Sequence, residues 1–389
     1  MDALMPNYRR YPVRMVRGQG MYLYDEAERD YLDFTSGIGV TALGHAHPAV
    51  TAALSEQAGR LVHCSNLYEI PVQEAVAERL SLLFGGGRAF FCNSGAEANE
   101  AALKLARRYQ YRRGQPERTE WVALEGGFHG RTFGALSVTP RPAYQEGFVP
   151  LVPGARIIDP ADPAALDAVG PRTAAVLIEV IQGEGGVRPL DPAFVRALAD
   201  KARAEGALLM VDEVQTGMGR TGRFFAYEHY GLAPDVVTLA KALANGVPAG
   251  AVVARPDVAE AFAPGTHGST FGGNPLAMAA AQVVIDTVSA PEFLQRVERM
   301  GTLLRERLEA VASRVPGGAA VRGRGLMWGL RPHTAGLAEK IVAAALQERL
   351  LLTAVGDQTV RFLPPLIVTP SDIETAMERL DRALAKVEG

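Results

Sequence analysis

The apolar residues of this chain fall into short continuous runs separated by amphipathic stretches. Runs of strand length occupy residues 88–92, 121–124, 174–180, 207–211, 236–239 and 250–253. Helical periodicity lies between several of them, over 96–109 and from Asp191-Pro192 to Ala204. Strands that are apolar throughout and alternate with helices are typical of a mostly parallel sheet covered on both faces. The pattern therefore predicts an α/β fold with a ligand site at the carboxyl ends of the strands.

The pattern changes towards both ends of the chain. Residues 11–34 have the character of short strands joined by turns, and a helix-rich stretch with a few strands follows residue 275. A length of 389 residues suits two domains. We expect an N-terminal segment, 1–47, that contributes to a small domain, a large domain over 48–280, and the rest of a small α+β domain over 281–389.

Composition excludes several classes of protein. Forty basic residues against 43 acidic ones give a formal net charge of −3, without the basic excess of a nucleic-acid binder. No run approaches the roughly 18 apolar residues of a membrane helix, and the N-terminal residues do not resemble a secretory signal. Cys64 and Cys92 are too few for a disulfide framework. The expected location is the cytoplasm, with no membrane or nucleic-acid partner.

Three strand ends carry residues that suit a single cofactor. Asn93-Ser94-Gly95-Ala96 joins a strand to a helix, whose free N–H groups and dipole favour an anion. Asp212 follows the run 207–211. Lys241 follows the run 236–239 and is one of only five lysines in the chain. A lysine buried at that position has a lowered pKa and is a nucleophile toward aldehydes.

An anion cradle, a carboxylate and an imine-forming lysine are what pyridoxal 5'-phosphate requires of a protein. The carboxylate keeps the pyridine nitrogen protonated, so that the ring withdraws electrons from the substrate's Cα. Each residue also has an ordinary interpretation: Ser94 as a helix N-cap, Asp212 as a loop cap and Lys241 as a solvated lysine. Their convergence on one edge of the sheet favours the cofactor.

The sequence resembles the class III (subgroup II) aminotransferases, pyridoxal-phosphate enzymes of fold type I. The matching segments are NSGAEANE at 93–100, FHGRT at 128–132, QGEGG at 182–186, DEVQTG at 212–217, TLAK at 238–241 and GSTFGGNP at 268–275, with LGH at 43–45 and RFLPP at 361–365. The resemblance spans most of the predicted large domain and reaches both ends of the chain. It implies a fold-type-I transferase with a mostly parallel central sheet and a smaller α+β domain.

The resemblance implies a set of cofactor-binding residues. These are Ser94, Gly95, Ala96, Phe128, Asp212, Glu213, Val214, Gln215, Lys241 and Thr270, of which Lys241 and Asp212 are catalytic. Phe128 would stack on the pyridine ring, Asp212 would pair with its nitrogen, and Gln215 would bond its oxygen. Thr270 would reach the phosphate from the neighbouring subunit, which implies a homodimer with shared active sites.

Four substrate-binding residues are implied in the same way. Arg361 would bind the α-carboxylate of glutamate and 2-oxoglutarate, and Arg131 that of an acylated diamino acid, tasks suited to the planar guanidinium fork. Glu184 would pair with Arg361 while an ω-amine is bound and release it for glutamate. Ser269 would touch the substrate.

The implied reaction moves the ω-amino group of N2-acetyl-L-ornithine to 2-oxoglutarate, a step of arginine biosynthesis. Relatives that act on free ornithine carry an aromatic residue near Ser36-Gly37-Ile38-Gly39, a small stretch that suits an acylated nitrogen. Alternatives are a lysine aminotransferase whose substrate is linked to a carrier protein, a 4-aminobutyrate aminotransferase, and a same-fold mutase. Val180 stands where the family has proline, so the local strand end is expected to differ slightly.

Two further motifs are weaker indications of function. Residues 217–222 fit the dinucleotide pattern G-x-G-x-x-G but do not lie between a strand and an apolar helix, so a nicotinamide enzyme is not favoured. His45-Ala46-His47 has no further ligands at useful spacing, and no metal site is expected.

Overall fold

A computed structural model describes residues 3–356 and 358–387. Its strands are β1 (Met15–Gln19), β2 (Tyr22–Asp25), β3 (Asp30–Asp33), β4 (Arg88–Cys92), β5 (Glu120–Leu124), β6 (Ala155–Ile158), β7 (Thr173–Ile178), β8 (Ile181–Gln182), β9 (Arg188–Pro189), β10 (Leu208–Asp212), β11 (Val236–Leu239), β12 (Gly250–Ala254), β13 (Ala319–Arg324), β14 (Met327–Pro332), β15 (Leu350–Leu351), β16 (Thr353–Val355) and β17 (Thr359–Phe362).

The helices are α1 (Ser36–Gly39), α2 (Pro48–Arg60), α3 (Pro71–Phe84), α4 (Gly95–Arg112), α5 (Phe133–Ser137), α6 (Pro142–Gln145), α7 (Pro192–Glu205), α8 (Pro256–Ala259), α9 (Pro275–Val288), α10 (Pro291–Ala312), α11 (Leu337–Gln347) and α12 (Pro370–Val387). Short 3-10 turns lie at Pro163–Ala168, Ala226–Tyr230 and Lys241–Ala244. No helix in the described part of the chain is long and apolar enough to span a membrane.

The central sheet has the strand order β4-β12-β11-β10-β7-β5-β6. Strands β11, β10, β7, β5 and β6 pair in parallel, and β12 runs antiparallel to both of its neighbours. The predicted α/β class with a mostly parallel sheet is confirmed. The six predicted strands lie within two residues of those observed. The prediction missed β6, a four-residue edge strand in which an arginine interrupts the apolar run.

Burial explains why the inner strands are apolar on both faces. All six residues of β7 and all five of β10 are buried, because helices cover each side of the sheet. Helix α7 begins where predicted. The Asp191 carboxylate accepts from the N–H groups of Ala193 and Phe194 at 2.7 and 3.0 Å. The helix ends at Gly206, whose φ of 72° is the left-handed conformation that glycine adopts at helix ends.

In the described ranges, three smaller sheets accompany the central one, and the smallest is the antiparallel pair of β8 and β9. Strands β1, β2 and β3 form one sheet with β15, so the N-terminal strands pair with a strand some 300 residues away in the sequence. Strands β13, β14, β17 and β16 form an antiparallel sheet. The boundaries at residues 47 and 280 stay a prediction.

The strand end at Val180 is tied to two neighbours. Its carbonyl accepts from the Tyr230 hydroxyl at 2.9 Å and from the Leu190 N–H at 3.0 Å. Both bonds use the carbonyl, which a proline at this position would also supply. Val180 in place of the family's proline therefore makes no difference to these two hydrogen bonds.

Candidate active site

Lys241 is separated by one residue from the end of β11 and opens a 3-10 turn at the carboxyl edge of the sheet. Its φ of 46° is left-handed, which is uncommon for a residue other than glycine and often marks a functional position. The side chain lines a cavity of about 370 Å³. Burial lowers the pKa of Lys241, and the nearby charge of Arg361 adds to the decrease, although neighbouring carboxylates oppose it. A larger neutral fraction makes the amine a better nucleophile.

Asp212, the last residue of β10, lies on the floor of the same cavity. Its Oδ2 is 2.8 Å from His129 Nδ1 and accepts from the Asn99 amide at 2.8 Å, while Oδ1 accepts from the Val214 N–H at 3.0 Å. Thr238 donates to the Asn99 carbonyl oxygen at 2.9 Å. Three hydrogen-bond partners therefore hold the Asp212 carboxylate, and one of them, Asn99, is itself held by Thr238.

His129 is buried against this carboxylate. Burial lowers the pKa of the imidazole, but the hydrogen bond to Asp212 and the charge of Asp212 outweigh burial and raise it. The His129 imidazole and the Asp212 carboxylate are thus an interacting pair on the floor of the cavity. A bound pyridinium would meet a carboxylate whose position is already set.

Glu179 follows β7, the strand beside β10, and also lines the cavity. Its carboxylate accepts from the Phe128 N–H at 2.9 Å and from the Gly183 N–H at 3.4 Å. Burial raises the pKa of Glu179 to about 7, and the charge of Asp212 adds to the increase. Glu179 links the loop that carries the aromatic ring to the loop that leads to Glu184.

The start of α4 forms the anion-binding side of the cavity. Ser94 is the N-cap, and its hydroxyl accepts from the Glu97 N–H at 3.2 Å. Gly95 and Ala96 line the cavity, and the first N–H groups of a helix have no intrahelical acceptor. A Cβ on Gly95 would lie 2.7 Å from Val214 Cγ1, so only glycine fits this approach. Together with Phe128, Asp212 and Lys241, these groups fit pyridoxal 5'-phosphate in their chemistry.

Arg361 is buried beside this cavity, with only 2% of its surface exposed. Its Nη1 donates to Glu184 Oε1 at 2.5 Å and to Gln215 Oε1 at 3.1 Å, and its Nε donates to Thr353 at 3.3 Å. Burial raises the pKa of Glu184, but the charge and hydrogen bond of Arg361 outweigh burial and lower it. The structure thus places an ionised internal carboxylate on Arg361.

Arg131 lies at the mouth of the cavity and is exposed. Its guanidinium carbon is 3.4 Å from the centroid of the Tyr144 ring and 5.7 Å from that of Phe128. The two rings meet edge to face, with centroids 6.1 Å apart. Arg131 is therefore held by aromatic faces rather than by an acidic side chain.

Three of the predicted site residues lie elsewhere in the chain's structure. Glu213 is not on the cavity wall: its carboxylate accepts from the Thr216 hydroxyl at 2.6 Å and the Tyr227 N–H at 2.8 Å. Ser269 accepts from the Asn93 amide at 3.3 Å, and Thr270 is exposed; both line a separate surface cavity. Successive residues of a strand point to opposite faces, which explains why Glu213 turns away from the site where Asp212 points.

Sequence reasoning missed several polar residues that the structure places in the site. They are Asn99, His129, Tyr144, Glu179 and Thr238. Two signals were present: Glu179 follows an apolar strand as Asp212 ends one, and Asn99 interrupts the apolar face of α4. His45, by contrast, bonds Asp33 at 2.8 Å. Among the described residues, no group of three or more His, Cys, Asp or Glu side chains is placed to hold a metal.

The chain is similar to known transaminases along its whole length. Residues 4–384 match the model of the family described as Aminotransferase class-III. The chain is 47% identical to the acetylornithine aminotransferase of Aquifex aeolicus over 386 residues, which cover 99% of this chain and 100% of that protein.

Solved structures of transaminases are also similar to this chain. The N-acetylornithine aminotransferase of Stenotrophomonas maltophilia is 36% identical, with a TM-score of 0.85 over 96% of each chain. An ornithine aminotransferase of Toxoplasma gondii, with partial occupancy of pyridoxal phosphate at its active site, is 34% identical, with a TM-score of 0.93 over 99% of this chain and 93% of that one.

Proposed function

Since the chain belongs to the class III aminotransferases, which depend on pyridoxal 5'-phosphate, we propose that it transfers the ω-amino group of N2-acetyl-L-ornithine to 2-oxoglutarate. The products are N-acetylglutamate 5-semialdehyde and glutamate. The observation that carries the proposal is the convergence of Lys241, Asp212 and the start of α4 on one cavity, with Arg361 and Arg131 beside it.

The residues of the cavity have different roles in transamination. When bound, pyridoxal phosphate supplies the aldehyde that takes up the amino group and the ring that withdraws electrons from the substrate carbon. Lys241 would hold the cofactor at rest and, once its amine is free, would carry a proton to and from the substrate carbon. Asp212 would keep the pyridine nitrogen protonated, Phe128 would cover the ring, and Gly95 and Ala96 would bind the phosphate.

Arg361 and Arg131 bind the substrate carboxylates in this proposal. The acylated diamino acid places its α-carboxylate on Arg131 while Glu184 neutralises Arg361. Glutamate and 2-oxoglutarate displace Glu184 and place their α-carboxylate on Arg361. The bond between Glu184 and Arg361 supports this scheme, because it is the arrangement required when the ω-amine is bound.

The choice of an acylated donor has its own support. The curated relatives that match at 45–47% identity are named acetylornithine aminotransferases. The small stretch 36–39 lies beside the site: a Cβ on Gly39 would be 3.9 Å from Gln215 Cγ, and Val40 lines the cavity. An aromatic side chain, which relatives that use free ornithine carry here, is missing from this stretch.

The proposal includes a homodimer in the cytoplasm. Thr270 would complete the phosphate site of the neighbouring subunit, and Ser269 would touch the substrate there. The exposure of Thr270, together with that of Phe271 (60%) and Leu67 (88%) around the same surface, supports an interface. A biosynthetic role in amino-acid metabolism favours the cytoplasm. Sedimentation of the holoenzyme tests the dimer, and a Thr270→Ala variant with normal cofactor affinity would contradict the shared site.

The test of the proposed reaction is an absorbance titration of the purified holoenzyme. The visible band of the lysine-bound cofactor should disappear on adding N-acetylornithine or glutamate, each alone. Conversion by glutamate but not by N-acetylornithine would move the donor to free ornithine, a carrier-linked lysine or 4-aminobutyrate. Turnover that needs no 2-oxoglutarate would indicate the mutase. A protein without a visible band, even after adding cofactor, would refute the proposal.

A further inference from the structure

Arg131 lies on the wall between two cavities. One is the cavity of about 370 Å³ that Lys241 lines; the other, of about 490 Å³, is lined by Tyr144 and Phe148 among other side chains. Within the part of the chain that the structure describes, Arg131 has no acidic partner. We propose, on the basis of the function proposed above, that Tyr144 is the positioning residue that holds the Arg131 guanidinium ready for a substrate carboxylate.

The contact between the two side chains is a stack over the ring face. The Arg131 guanidinium carbon is 3.4 Å from the Tyr144 centroid, well inside the range of a cation–π contact. The N–H bonds of a guanidinium lie in its plane, so a stack that uses the plane's face leaves every donor available. An acidic partner would instead occupy those donors, as Glu184 does on Arg361. An aromatic support therefore fixes Arg131 without competing with the substrate.

Tyr144 is itself held in place. It belongs to α6, where its N–H donates to the Arg141 carbonyl at 2.8 Å. The Arg141 guanidinium donates to the backbone carbonyl of Glu184. This hydrogen bond joins the start of α6 to the loop whose Glu184 side chain pairs with Arg361. On its other side the Tyr144 ring meets Phe128 at an interplanar angle of 89°. The ring thus has a defined position relative to both the cofactor-stacking ring and the Glu184 loop.

The ring face, and not the hydroxyl, makes this contact. No hydrogen bond of the Tyr144 hydroxyl is found within residues 3–356 and 358–387. A phenylalanine at 144 would keep the support for Arg131, whereas a leucine would fill similar space without a π face. This difference gives a matched pair of variants, Tyr144→Phe and Tyr144→Leu.

The experiment measures binding of N-acetyl-L-norvaline, which lacks the ω-amine and cannot react, to the holoenzyme by calorimetry. We expect Tyr144→Leu to raise its Kd about tenfold and Tyr144→Phe to change it by less than about twofold. The KM for N-acetylornithine should rise with the Kd while kcat stays nearly constant. The half-reaction with L-alanine, whose single carboxylate is assigned to Arg361, is the control and should be unchanged. In an Arg131→Gln background, Tyr144→Leu should have no further effect.

Equal losses in Tyr144→Phe and Tyr144→Leu, or an equal loss with L-alanine, would overturn the positioning role. If Tyr144→Leu does not retain cofactor, Tyr144→Met provides the same comparison. A wild-type enzyme that transaminates but does not bind N-acetyl-L-norvaline would refute the acetylornithine donor instead. The Tyr144 series is then measured with glutarate, whose two carboxylates engage both arginines.

Discussion

The floor and the rim of the cavity are built in different ways. On the floor, Asp212 is buried and receives hydrogen bonds from His129 and Asn99 within the same chain. On the rim, Arg131 is exposed and rests on an aromatic ring. The floor is complete within one chain, and the rim keeps donors available for groups that arrive from outside.

The difference follows from what each part must bind. The cofactor is the same in every turnover, so a floor whose polar groups are already paired loses nothing by being rigid. The substrates alternate between an acylated amine and a dicarboxylate, and the two substrate arginines suit this change in different ways. Arg131 rests on a ring face that leaves its donors available, whereas Arg361 pairs with a carboxylate that a substrate can replace. Four predictions test this contrast, in order of decreasing effect on catalysis.

The largest effect is expected from Lys241→Ala on the floor. Removing the amine takes away both the cofactor's attachment and the proton carrier, and we expect kcat to fall by about 10³-fold or more. Binding of the cofactor should weaken but persist, because the phosphate and ring contacts remain. Single-turnover absorbance measures both quantities, and a variant with wild-type turnover would contradict the role of Lys241.

Asp212→Asn should be the next most damaging change. Asparagine occupies the same space but lacks the charge that keeps the pyridine nitrogen protonated, so we expect kcat to fall about 100-fold. Glu179→Gln is the matched control. Burial raises the pKa of Glu179, which makes its neutral form easier to reach, so its neutralisation should cost much less. Similar losses in the two variants would mean that charge on Asp212 has no special role.

Glu184→Gln tests the exchangeable partner of Arg361. Because glutamine competes less well for the guanidinium, the half-reaction with glutamate should become about tenfold more efficient and that with N-acetylornithine less efficient. Stopped-flow rates of the two half-reactions give the ratio. If both half-reactions change by the same factor, Glu184 does not alternate between substrates.

The smallest effect on catalysis is expected from Glu213→Gln. Burial raises the pKa of Glu213 to about 7, from an ordinary value of 4.5. The folded state therefore holds this proton more tightly than the unfolded state does. Its stabilising effect is full below pH 4.5 and is lost as pH rises through about 7, a change of about 3 kcal/mol.

The glutamine variant keeps one acceptor oxygen for the Tyr227 N–H and can donate its amide N–H to the Thr216 hydroxyl, but it cannot titrate. Urea unfolding of the holoenzyme at pH 5 and pH 8 should show a smaller decline in the variant than in the wild type, while kcat and cofactor affinity stay near wild type. A loss of cofactor binding would return Glu213 to the site.

The apolar runs predicted the strands, and the strand ends predicted Asp212 and Lys241, because both depend on local order. Asp212 and Lys241 lie at the ends of apolar runs, and parallel strands bring their carboxyl ends together without further information. The paired polar groups beneath them were not predicted. Asn99 and Thr238 are 139 residues apart, and their hydrogen bond appears only when α4 packs on β11.

Glu213 stays a prediction from a matching motif, although its side chain does not line the cavity of its own chain. The segment DEVQTG contains consecutive residues, but the side chain of Asp212, at the end of β10, points into the cavity, and that of the next residue, Glu213, points into the structure behind it. The stack of Tyr144 on Arg131 was also beyond the sequence, because no spacing rule relates a loop arginine to a ring on α6, beyond the intervening α5.

The left-handed backbone at Lys241 has a consequence for engineering. A φ of 46° costs a side-chain-bearing residue about 1–2 kcal/mol and costs glycine almost nothing. A Lys241→Gly protein should therefore be a relaxed scaffold with an opening at the place of the amine. Small diffusible amines such as ethylamine would enter this opening and restore part of the proton transfer. The rate would then depend on the basicity of the amine that is added to the buffer.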